Sequence, residues 1–222
     1  MIKETDRKAN NVNEDDNIYG KVAEILFKQF VAKPKEKLEW TCFDTTGEED
    51  FQPISVDFVL SKKGDKVRPS VEEIFSNRDD YILFECKCDT WAWRTRHLYW
   101  EYQNKNQRGW SEKMECDYIF YAHPEQDEKY GTDEERTYKM VKNTKEVLIV
   151  DAKKFAEIKS NIEDIHKLEP RKEMKGINGM WYRRRDTYEQ GHEHTNQWLI
   201  IDIDFIIEEL KTEKVVIWSK EL

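Results

Sequence analysis

The sequence predicts a single α/β domain, and three observations carry that prediction. Short runs of β-forming residues recur along the chain, at 38–43, 54–60, 81–89, 97–103, 114–122, 147–150, 198–203 and 215–218. Two stretches between them, 17–31 and 155–165, repeat apolar residues at helical spacing. No internal repeat or linker interrupts the 222 residues, a length that suits one domain with a sizeable core.

Taken in order, residues 1–16 hold almost nothing to bury and read as a flexible N-terminal arm, which leaves 17–222 as the domain. Asp16 or Asn17 caps a first helix whose apolar face is Ile18, Val22, Ile25, Leu26 and Phe30, with Glu24 roughly opposite and Pro34 as its stop. A strand 38–43, an acidic turn around Gly47 and a strand 54–60 follow, the last carrying a lone acid, Asp57. A loop with a helical turn at Val71–Phe75 leads to the strand 81–89, which makes a wide hairpin with 54–60. Trp91-Ala92-Trp93-Arg94-Thr95-Arg96 is aromatic and basic and runs into the strand 97–103. After the strand 114–122, His123-Pro124 opens a charged surface excursion to about Lys145. The strand 147–150 and the second amphipathic helix come next, then a polar, glycine-bearing stretch 169–195. The strand 198–203, a short helix capped by Asp204 and a closing strand 215–218 end the chain.

Composition narrows the function. Charged residues make up 37% and the formal net charge is −9, which argues against a protein that coats nucleic acid indiscriminately but leaves room for a local basic groove. No apolar run is long enough to span a bilayer, and the polar, acidic N-terminus is unlike a signal peptide, so a cytoplasmic protein without a membrane partner is expected. Cys42, Cys86, Cys88 and Cys116 sit beside apolar neighbours and read as buried free thiols; Cys86 and Cys88 have no partner pair at zinc-finger spacing.

The chemistry gathers on the strand Tyr81-Ile82-Leu83-Phe84-Glu85-Cys86-Lys87-Cys88. Alternation puts Glu85 and Lys87 on one face, together with Tyr81 and Leu83, and an ion pair among apolar residues is more than a solvated outer face requires. Hairpin pairing would bring Asp57 to Glu85. Two adjacent carboxylates repel, and a divalent cation between them relieves the repulsion. Hard oxygen ligands suit Mg²⁺ or Mn²⁺, and the backbone carbonyl of Cys86 is a further donor. Such a centre, with an ammonium beside it, is suited to hydrolysing a phosphodiester.

Asp57 with Glu85-Cys86-Lys87 resembles the signature of the PD-(D/E)XK nuclease superfamily, an acid followed after a gap by Glu-x-Lys. Arg96 to Tyr102, Gly109-Trp110-Ser111 and Cys116 to Tyr121 resemble a phage and bacterial nuclease-like subgroup of it, and the likeness extends over most of 18–210. The resemblance implies a central mixed sheet flanked by helices with a restriction-endonuclease-like core. It implies cleavage of DNA more often than RNA, and a first-helix acid near the metal, here Glu24. Val56-Asp57 stands where the family name has Pro-Asp.

Glu101 is expected as a further acid of the site, on the strand next to Glu85. Arg94, Arg96, Lys105 and Arg108 flank the site in sequence and are the expected phosphate contacts. Trp91 and Trp93 suit either packing or stacking on a base. Arg183-Arg184-Arg185 reads as a solvated patch, and His192-Glu193-His194 as flexible surface. The other function class is a nuclease-fold binding protein, inactive as an enzyme, that engages nucleic acid or a protein partner. Homodimerisation stays open under both.

Overall fold

A computed structural model describes residues 18–104, 107–125, 129–160, 180–189, 192–209 and 213–216. The expected arm 1–16 and Lys105 lie outside these residues. The protein is α/β, with a mixed sheet and helices against it.

Helix α1 covers 18–36 in three segments: α-helical over 18–27, π-helical over Lys28–Ala32, and α-helical again over Lys33–Glu36. Pro34 therefore does not stop the helix, as the sequence suggested. The Lys33 N–H reaches back to the Lys28 carbonyl, a π-type bond, so Pro34 falls in the first turn of a new segment where its missing N–H costs little.

Strands β1 (Thr41–Asp44), β2 (Phe58–Ser61) and β3 (Tyr81–Cys88) form an antiparallel meander. The short helix α2 (Val71–Ser76) lies between β2 and β3, with the Ser70 side chain accepting the Glu73 N–H as its cap. The chain then leaves this sheet. Helix α3 (Thr90–Thr95), strand β4 (His97–Asn104) and the short β5 (Gln107–Arg108) form the crossover to β6 (Tyr118–Pro124), which pairs parallel to β3. Trp91 and Trp93 thus stand on a helix.

Helix α4 (Asp133–Lys142) follows, then β7 (Thr144–Asp151) and helix α5 (Ala152–Ser160). The expected surface excursion after His123 is in large part α4. A capping box joins Thr132 and Glu135, and Met140 and Val141 are buried. Strands β8 (Met180–Glu189) and β9 (His192–Asp202), helix α6 (Ile203–Glu209) and β10 (Glu213–Val216) complete the described chain. Here too the sequence misled: His192–His194, expected as flexible surface, opens β9, which pairs with the strand that holds Arg183–Arg185. The cap of α6 is Asp202, whose Oδ1 accepts the N–H groups of Asp204 and Phe205 at 2.8 and 3.3 Å, rather than Asp204.

The first sheet runs β1-β2-β3-β6-β7-β10, and the second runs β5-β4-β9-β8. Apolar clusters cover both faces of the first sheet, which explains why its strands are apolar nearly throughout. On one face Phe27 of α1 sits among Phe58, Phe84 and Phe120, with ring centroids 4.3, 4.9 and 5.6 Å away. On the other, Val59, Leu83, Ile119 and Leu148 meet Leu98, Trp100, Leu199 and Ile201 of the second sheet. Trp100 stacks on Phe155 of α5 in that layer. Each such buried side chain contributes about 1.5–3 kcal/mol. Among the described residues no helix is long and apolar enough to cross a membrane.

Candidate active site

The register of β2 and β3 positions the site. Phe58 faces Phe84 and Val59 faces Leu83, so Asp57, one residue before β2, comes opposite Glu85. Asp57 is not inside the strand, as the alternation suggested. A 3₁₀ turn, Gln52–Ile54, and a left-handed Ser55 (φ 50°) bring the chain to the strand edge at this point. The Asp57 N–H donates to the Phe84 carbonyl at 2.8 Å, and its Oδ2 accepts the Cys86 N–H at 2.8 Å. The carboxylate fills the ladder position that β2 leaves empty beyond Phe58.

Glu85 is 4% exposed and forms an ion pair with Lys87, whose side chain is 28% exposed. The face that bears them continues the apolar layer of Tyr81 and Leu83, and with Glu85 buried and Lys87 half-buried the pair is not solvated decoration. Burial, then the charge of Glu85, pushes the Asp57 carboxyl up to about 7, while Lys87 and the Cys86 N–H pull it down. Burial would depress the Lys87 ammonium, but Glu85 and Asp57 together outweigh it and raise it.

The Cys86 thiol is buried on the helix side of β3, and burial, with the two acids, raises it well above the ordinary thiol range. It is a packing residue. Its backbone is another matter: N–H and C=O of a strand residue leave on the same edge. Because the N–H meets Asp57, the carbonyl also faces the gap beyond β2.

Glu24 on α1 is half-buried, and its carboxyl is raised by burial and then by Asp44. It is close enough for its charge to raise Asp57 as well. Asp44, which burial alone would raise, is lowered by Lys28 at 2.6 Å and by Thr46.

No protein-family model, curated protein or solved structure matches the chain.

Among the described residues no group of three or more His, Cys, Asp or Glu side chains is placed to hold a metal ion. The donor set nonetheless fits one hard cation. Asp57 and Glu85 are two adjacent carboxylates, Asp57 being raised first by burial and then by the charge of Glu85, and the Cys86 carbonyl faces the same gap. Mg²⁺ is commonly held by one or two carboxylates, with water and phosphate oxygens completing its shell.

The remaining expectations fare differently. Glu101 stands on β4, whose hydrogen-bonded neighbours are β5 and β9, so it is not on the strand beside Glu85. Arg96, expected as a phosphate contact, is held in ion pairs within the protein. Its guanidinium binds Glu146 at 2.8 Å and Asp204 at 2.9 Å, and its backbone is left-handed at φ 57°. It ties β7 to α6, and two carboxylates saturate its charge. Arg94 lies on α3 and Arg108 in β5.

One feature of this region was missed altogether. Asp117 receives a two-pronged pair from Arg78 at 2.9 and 2.8 Å and the Leu83 N–H at 2.8 Å, and so anchors the far end of β3. Two charged residues separated by 39 positions left no local pattern to read.

Proposed function

We propose that the protein is a metal-dependent nuclease that hydrolyses phosphodiester bonds, in DNA rather than RNA, at Asp57, Glu85 and Lys87. The observation that carries this is the meeting of Asp57 and Glu85 across the β2–β3 edge, with burial and mutual repulsion lifting Asp57 to about 7. Two acids held this way are costly unless a cation or a proton joins them. The likeness of Asp57 and Glu85-Cys86-Lys87 to the PD-(D/E)XK signature supports the same reading, as does the preference of that superfamily for DNA.

Asp57, Glu85 and the Cys86 carbonyl would hold Mg²⁺ or Mn²⁺. Bound there, the cation would supply Lewis acidity toward a phosphodiester oxygen. Lys87 keeps its proton at neutral pH, because its ammonium is raised, so it serves as a fixed positive charge beside the scissile phosphate rather than as a base. The Asp57–Cys86 hydrogen bond holds one carboxylate oxygen against the backbone and leaves the other for the cation. Glu24 adds negative potential from the helix side and strengthens cation binding.

One observation favours the non-cutting alternative: Lys87 is already ion-paired with Glu85. A protein that only binds nucleic acid or a partner would keep that pair closed for stability. Cleavage of DNA in Mg²⁺, stopped by a chelator, separates the two.

A further inference from the structure

We propose that the groove between α1 and α4 is a nucleotide subsite, which takes one base between the two helices and its phosphate at Lys21. The proposal rests on the nuclease reading for why a nucleotide arrives there, but not for its capture.

Both helices pack on one face of the first sheet, with Val22 and Leu26 of α1 and Met140 and Val141 of α4 in the same apolar cluster. Above that cluster they do not close on each other. Ile25, from the apolar face of α1, is left 42% exposed, and Tyr138 of α4 is 58% exposed beside the buried Val141. These three side chains wall a groove of about 420 Å³. Sites for small ligands occupy roughly 300–1,000 Å³, with walls that are mostly apolar and a few polar groups converging on them. Lys142 lies over one face of the Tyr138 ring at 4.5 Å, which leaves at most one face for a base.

The polar groups are of three kinds. Thr137 lines the groove and is 6% exposed, and its hydroxyl is closed to solvent without a hydrogen-bond partner. A helical threonine ordinarily settles its hydroxyl on the carbonyl one turn back, and leaving it buried and unpaired costs free energy. The polar edge of a base supplies the missing partner. Lys21, also in the lining, is exposed and makes no ion pair among the described residues. Lys28, by contrast, is held by Asp44 at 2.6 Å. The unpaired ammonium of Lys21 is thus the one suited to a phosphate. Asp133 and Glu134, on the α4 wall, offer acceptors for base amino groups. Apolar walls, a hydroxyl, carboxylate acceptors and an unpaired cation together match a planar base with a polar edge and an attached phosphate.

The groove opens beside the candidate centre. Lys28 lines it, and its Nζ lies 5.4 Å from the ring centroid of Phe58, the residue after Asp57. Glu24 lines it as well, and its charge reaches Asp57. A strand cut at Asp57 and Glu85 would have a neighbouring nucleotide within reach of the groove.

The test is equilibrium dialysis of AMP, TMP, adenosine and inorganic phosphate against the whole chain, with a 5′-phosphorylated oligo(dT) as competitor. AMP should bind more tightly than adenosine, and adenosine more tightly than phosphate. Displacement of AMP by the oligonucleotide assigns the strand as the source of the nucleotide; AMP binding without displacement assigns a free nucleotide. Thr137→Val should weaken AMP about fivefold, yet its urea midpoint should be no lower than wild type, because the hydroxyl it removes has no partner. Lys21→Ala should weaken AMP and leave adenosine unchanged. Neither AMP nor TMP binding at millimolar concentration would overturn the proposal. So would phosphate bound as tightly as AMP, or Thr137→Val binding AMP as wild type does. AMP bound by a protein that cuts no DNA would sink the nuclease reading and keep the subsite. DNA cut by a protein that binds no mononucleotide would do the reverse.

Discussion

The carboxylate of Asp57 is tied to the backbone of the strand that carries Glu85, its Oδ2 accepting the Cys86 N–H at 2.8 Å. Through that bond a residue outside β2 is held in register with one inside β3. Two acids are thereby kept together that would otherwise move apart.

The arrangement costs stability, with a defined pH dependence. The Asp57 carboxyl titrates near 7 in the folded chain and about 3.9 in an unfolded one. Between these values the native state holds a proton that the unfolded state has released, so stability falls as pH rises through the window and the full cost is present above 7. Asp57→Asn keeps an oxygen for the Cys86 N–H and removes the charge. It should gain on the order of 1–3 kcal/mol at pH 8 and nearly nothing below pH 4, measured by urea unfolding.

Glu85 and Lys87 should behave as a coupled pair. Lys87→Ala leaves the Glu85 carboxylate buried beside Asp57 without its cation and should cost about 2–4 kcal/mol. Adding Glu85→Gln to that variant should recover most of the loss. A double-mutant cycle of unfolding free energies reads the coupling directly, and additive effects would contradict the pairing.

Arg96 should matter to folding and not to nucleic acid. Glu146 is 3% exposed, so Arg96→Ala takes the guanidinium from a buried carboxylate that keeps His123 Nδ1 at 3.6 Å, and should cost about 3 kcal/mol. The salt dependence of DNA binding should stay as it is in the wild type, because two carboxylates already hold the guanidinium.

How far the sequence spoke depends on how local each signal is. The strand 81–88 was legible because its alternation and its Glu-x-Lys lie within eight residues, and the β2–β3 hairpin followed from it. Helix α4 was hidden by its charge: Arg136 and Thr137 are among its buried residues, so its apolar stripe is thin. The Thr132-Asp133-Glu134-Glu135 capping box was the signal that could have revealed it. The β8–β9 hairpin was hidden in the same way, since Arg183-Arg184-Arg185 reads as a solvated patch and His192-Glu193-His194 as flexible surface. The Gly191 break between two aromatic-bearing runs was the hint passed over. Arg96 illustrates a different limit. Its partners lie 50 and 108 residues away, and nothing near it in sequence reports that its charge is spoken for.

The central claim is that Asp57 and Glu85 form a cation-dependent phosphodiesterase centre. The most direct measurement is cleavage of plasmid, duplex and single-stranded DNA and of RNA in Mg²⁺ or Mn²⁺, with and without chelator, by the wild type and Asp57→Asn. Because Asp57→Asn should be the more stable protein at pH 8, a loss of cleavage cannot be put down to unfolding. The prediction is that wild type cleaves DNA only with the metal and that Asp57→Asn is slower by roughly a hundredfold or more. Wild type that cuts none of these substrates in either metal, or Asp57→Asn that cuts as fast as wild type, would contradict it.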